Sequence, residues 1–71
     1  MSPFTAVSNF LRAQSPYAFC VSCIAKRLML SRRDVRDALQ AIVLQAGFRL
    51  RLRLCDGCRQ TVEVVEAAPA A

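Results

Sequence analysis

Cys20-Val-Ser-Cys23 and Cys55-Asp-Gly-Cys58 decide how this chain folds. Each is a C-x-x-C pair, and 31 residues, 24 to 54, lie between them. The 71-residue chain has no other cysteine. Two such pairs read as one four-thiolate zinc site that closes a long loop. With Cys20, Cys23, Cys55 and Cys58 all engaged, no coordination position stays open for water, so one structural zinc is expected, not a catalytic one. Iron accepts the same four thiolates and is the alternative metal. A chain this short forms a single domain that buries little surface and usually needs such a staple. Metal binding would contribute on the order of 10 kcal/mol of folding free energy, so the metal-free chain is expected to be largely unfolded.

Working outward from the first pair, residues 2 to 14 form an expected first helix. Ser2 can cap it, and Pro3 suits the first helical position. Phe4, Val7, Phe10 and Leu11 make one apolar stripe at helical spacing. A short second helix runs from about residue 20 to 28. Between the pairs, Ser31-Arg-Arg-Asp34 opens a third helix as a near capping box. Val35, Ala38, Leu39, Ile42, Val43 and Ala46 give that helix, 31–46, a wide apolar face, and Gly47 stops it. Phe48 would fold back onto the helix end.

Residues 48–54, Phe-Arg-Leu-Arg-Leu-Arg-Leu, alternate strictly and predict a half-buried strand. Its apolar residues, Phe48, Leu50, Leu52 and Leu54, are expected to face the core. Asp56-Gly57 makes a tight turn, and the glycine lets backbone N–H groups point at the sulfurs. Residues 60–65 return as a second strand, with Glu63 placed to face the arginines. Domain boundaries follow: a folded unit over 1–66 and a disordered tail over 67–71 that includes Pro69.

The formal charge is +5, and nine of the ten basic residues are arginine. Four thiolates on one divalent ion would lower the charge to about +3. Nucleic acid is therefore a plausible partner. No apolar run approaches the roughly 20 residues that span a bilayer. The start, Met1-Ser-Pro-Phe, lacks a basic segment before an apolar core, so no signal peptide is expected. A cytoplasmic setting follows, with no membrane partner, and it favours metal ligands over disulfides.

The middle of the chain resembles a helix-turn-helix. Ala25-Lys-Arg-Leu28, Leu30-Ser31-Arg-Arg, Val35 and Ala38-Leu39 carry the likeness. In that family a small alanine of the second helix packs under the third, and a serine opens the recognition helix. The hairpin behind it makes residues 4–65 similar to a winged helix-turn-helix, an α+β fold of three helices with a C-terminal two-stranded wing. One position departs from the family pattern. The turn residue commonly filled by glycine is Met29, which tolerates a positive φ poorly.

A catalytic role lacks its parts. There is no histidine, no nucleophile–base pair and no Gly-rich phosphate loop. The carboxylates Asp34, Asp37 and Asp56 are explained by helix starts and a turn. No small-molecule substrate is implied. The resemblance implies a duplex-DNA-binding, transcription-regulator-like module with its third helix in the major groove. Arg32, Arg33, Arg36 and Gln40 would read bases there, since Arg32, Arg36 and Gln40 share one helix face. Lys26, Arg27, Arg49, Arg51, Arg53 and Arg59 would contact phosphates. The alternative is a zinc-stabilised protein-interaction module without DNA binding, with a homodimer or protein partner on helix 3–14. A redox role is a third reading. It is weakened by the second cysteine pair and by the absence of a strand before Cys20.

Overall fold

A computed structural model describes residues 2–68 of the chain. Its elements are α1 (Pro3–Gln14), α2 (Val21–Leu28), α3 (Arg32–Ile42), β1 (Phe48–Leu54) and β2 (Thr61–Ala67). This is the expected α+β order of three helices followed by an antiparallel hairpin.

Local chemistry explains the helix starts. Ser2 Oγ accepts the Thr5 N–H at 3.3 Å, and Pro3 sits where its missing N–H is harmless. Ser31 Oγ accepts the Asp34 N–H at 3.0 Å. Val7 and Leu11 of α1 are fully buried against Val35, Ala38, Leu39 and Ile42 of α3, while Phe4 and Phe10 are half-buried at the core's edge. Ala25 of α2 is buried in the same cluster.

The α2–α3 turn corrects one expectation. Met29 adopts φ 56°, the left-handed conformation usually left to glycine. Its N–H and that of Leu30 both donate to the Ala25 carbonyl and close the helix. The Met29 side chain is 91% exposed, so the strain is confined to the residue's own backbone.

Helix α3 ends at Ile42, four residues before the expected Ala46. Its last turn tightens: Leu44 N–H donates to the Ala41 carbonyl and Gln45 N–H to that of Ile42, each three residues back. Beyond Val43 no core is left to cover, and Leu44 and Ala46 are exposed. Gly47, at φ +100°, turns the chain into β1 instead of capping the helix. Phe48 is buried as the first strand residue.

The hairpin corrects three more. Only Phe48 of the expected core-facing set is buried. Leu50, Leu52 and Leu54 are 47%, 77% and 43% exposed. Strict alternation showed which residues share a face; it could not show whether that face is covered. β1 is the outer strand, whereas β2 lies between it and Phe19, and Val64 and Val65 of β2 are both buried. Glu63 lies opposite Leu52 and not against the arginines. Glu66 takes that role, accepting ion pairs from Arg51 at 3.2 Å and Arg53 at 3.7 Å. Ala67, placed in the tail by sequence, ends β2 and is buried. Ala68 N–H donates to the Gly47 carbonyl at 2.6 Å. The remainder of the expected tail, 69–71, lies outside the described residues.

A single-residue bridge completes the sheet. Phe19 N–H donates to the Val65 carbonyl at 3.1 Å, and Val65 N–H returns to the Phe19 carbonyl at 2.9 Å. β2 therefore lies between β1 and the segment that leads into α2. On either side of Phe19, Ala18 pairs with Asp56 and Cys20 N–H meets the Cys55 sulfur, which sets Cys20 beside the hairpin turn.

Candidate metal centre

Cys20 is the N-cap of α2, and Cys23 lies in its first turn. Cys55 and Cys58 bracket the hairpin turn. The four Sγ atoms lie within 4.8 Å of one another. Cys20 and Cys58 sulfurs are 3.9 Å apart, and those of Cys23 and Cys55 are 3.7 Å apart. A tetrahedron with metal–sulfur bonds of about 2.3 Å has edges of about 3.8 Å. The observed spacings fit it, and they are far longer than a disulfide bond of about 2.05 Å. All four cysteines are free. The donor set thus fits one tetrahedral thiolate-bound metal ion, as the spacing of the pairs predicts.

The backbone prepares the site for charge. Cys55 Sγ accepts N–H groups from Cys20 at 3.3 Å and Gly57 at 3.4 Å. Burial alone would raise the Cys55 pKa, but N–H donation from Cys58, Cys20 and Gly57 prevails and lowers it to about 6. Cys20 and Cys23 shift the other way. Burial pushes the Cys20 thiol up, and burial with the neighbouring sulfurs pushes Cys23 up to about 12. Cys55 is ready as an anionic anchor, and a metal cation would be needed to draw the protons from Cys20 and Cys23.

Asp56 and Gly57, which the sequence marks as a tight turn with N–H groups aimed at the sulfurs, also make contacts that the sequence does not show. Asp56 Oδ2 accepts the Ala18 N–H at 2.7 Å, while Asp56 N–H donates to the Ala18 carbonyl at 2.9 Å. This reciprocal pair holds the hairpin turn on the segment before Cys20. Gly57 has no positive φ; its need is steric. A Cβ there would meet Cys23 Sγ at 2.8 Å and the Phe19 ring at 3.3 Å. Arg59 takes φ 64° after Cys58, and its N–H donates to the Cys55 carbonyl.

The basic residues fall into separate groups. Arg32, Arg36 and Gln40 form one exposed stripe of α3. They line a groove of about 650 Å³ whose other wall includes Leu50 and Val62. Arg33 is also exposed but lies off that groove. Arg49, Arg51 and Arg53 line a different cavity, with Tyr17 and Glu66. Lys26, Arg27 and Arg59 are exposed, and the Arg27 guanidinium lies 5.4 Å from the centre of the Phe19 ring. The hairpin arginines and the α3 arginines therefore do not converge on one pocket.

Comparison with protein-family models, with curated proteins and with solved structures found no match. Among the described residues no helix is long and apolar enough to cross a membrane.

Proposed function

We propose that this chain is a zinc-stapled winged helix-turn-helix module that binds duplex DNA through α3. The observation that carries the reading is the stripe of Arg32, Arg36 and Gln40, exposed on α3 beyond its Ser31 cap and unpaired with any carboxylate among the described residues. Arginine matches the acceptor edge of guanine and glutamine that of adenine. The left-handed turn at Met29 between α2 and α3, together with the Phe19–Val65 bridge behind the hairpin, supports the winged-helix likeness. Arg33 completes the helix's basic start, and Lys26, Arg27 and Arg59 are free to meet phosphates.

The metal of this reading is zinc in a closed, structural four-sulfur set, with iron, which accepts the same four thiolates, as the alternative. When bound it supplies no reaction; it holds the hairpin tip against the start of α2. Cys20, Cys23, Cys55 and Cys58 would be its ligands. Four reduced thiols of this kind suit a cytoplasmic setting, and nothing in the site calls for an enzyme.

The test is titration of the zinc-loaded chain with a generic duplex at two salt concentrations, followed by amide shifts. Shifts at Arg32, Arg33 and Arg36 that weaken steeply with salt are expected. Their absence at low salt overturns the reading. A second reading, a protein-docking module, is favoured by the exposed leucines of β1. Such a partner would sit on β1 in preference to α1, whose Val7 and Leu11 are buried in the chain's own core.

A further inference from the structure

We propose that the open edge of β1 docks an extended strand of a partner protein in which acidic and apolar residues alternate. Among the described residues β1 pairs only with β2, and the other side of β2 meets Phe19. The outer edge of β1 therefore presents unpaired backbone groups over a seven-residue strand. Such an edge accepts a further strand through main-chain hydrogen bonds, with side-chain alternation deciding which strand fits.

The two faces of β1 specify that strand. One carries Leu50, Leu52 and Leu54, all substantially exposed. The other carries Arg49, Arg51 and Arg53. Arg51 and Arg53 share the single carboxylate of Glu66, and Arg49 has no ion pair among the described residues. That face keeps a positive excess. Residues directly opposite across a strand pair share a face, so the incoming strand needs apolar residues beside the leucines and carboxylates beside the arginines.

A second copy of this chain does not meet that need. Leucines occupy even positions of β1 and arginines odd ones. Every antiparallel register that places leucine opposite leucine also places arginine opposite arginine, which repels. Every other register sets arginine against leucine. Parallel pairing in register has the same fault. A nucleic acid would neutralise the arginines and leave the leucine strip in water. Only a strand of mixed apolar and acidic character satisfies both faces.

The probe is a capped peptide of about eight residues, the length of an ordinary strand, alternating glutamate and valine. It would be titrated into the full, zinc-loaded chain. Saturable shifts confined to residues 48–54, with slowed amide exchange along β1, are expected. Exchanging every glutamate for lysine in the peptide, which sets several like charges opposite the arginines, should weaken binding about tenfold or more, and Leu52→Lys in the protein, which removes one cross-strand pair, about two- to fivefold. Leu52 is 77% exposed, so that variant keeps its fold, and an unchanged amide spectrum elsewhere verifies it. The proposal is overturned by an absence of shifts on β1, by equal binding of the lysine peptide, or by shifts centred on α3. It is equally overturned by a dimer in sedimentation that Leu52→Lys abolishes. The duplex titration at Arg32, Arg33 and Arg36 is a separate readout, so either proposal can fail alone.

Discussion

Gly57 approaches Cys23 so closely that a β-carbon at residue 57 would lie 2.8 Å from the Cys23 sulfur. The hairpin turn and the first turn of α2 are thus fitted to each other at van der Waals limits, and glycine alone fits there. Gly57→Ala should displace Cys23 and lower metal affinity by about 10–100-fold, as loss of a supporting contact around a metal typically does. Competition with a chromophoric chelator measures it. Unchanged affinity would mean that the two cysteine pairs have slack.

Asp56 is the second fastener. Ala18 is fully buried, and its N–H has the Asp56 carboxylate as partner. Asp56→Ala leaves that donor unpaired and should cost about 1–3 kcal/mol in denaturant unfolding of the metal-loaded chain. Asp56→Asn keeps an acceptor oxygen and should recover most of the loss. Equal loss in both variants would assign the effect to charge instead.

Met29 predicts a gain. A non-glycine residue in the left-handed region costs about 1–2 kcal/mol. Glycine removes that cost but adds about 0.5–1 kcal/mol of chain entropy in the unfolded state. Met29→Gly should therefore stabilise the protein by about 0.5–1 kcal/mol, raising its denaturant midpoint with no change in slope. Its side chain is almost fully exposed, so no packing is lost.

Acid should undo the fold through Cys55. Its pKa in the fold is lowered from the 9.0 of an isolated thiol to about 6. A lowered pKa contributes stability that is complete above the unfolded value and drains away as pH falls through the folded one. Bound metal competes for the same sulfur and moves the loss lower still. Circular dichroism should show helix retained at neutral pH, lost below pH 6 together with the metal, and restored when both are returned. Chelation at neutral pH should produce the same unfolding. A chelated protein that keeps its helices would show that the core suffices without the staple.

The elements and the metal ligands were legible because each has a local signal. Caps at Ser2 and Ser31, helical spacing in α1 and α3, and the paired C-x-x-C motifs are short-range patterns. The leucines of β1 were misread because alternation reports a shared face and is silent on what covers it. The partners of Glu66 and of the turn residue Asp56 were missed for a related reason: only the folded register brings them near, Arg51 and Arg53 across the hairpin and Ala18 from 38 residues away. The end of α3 depended on where the core ran out, since Ala46 fits a helix well and has nothing to pack against.

The central claim is that one closed four-sulfur site joins the hairpin tip to the start of α2. X-ray absorption at the metal edge of the purified protein tests it most directly. One zinc per chain is expected, surrounded by four sulfurs at about 2.3 Å and no lighter ligand. A nitrogen or oxygen in the first shell, fewer than four sulfurs, or cysteines paired as disulfides would contradict it.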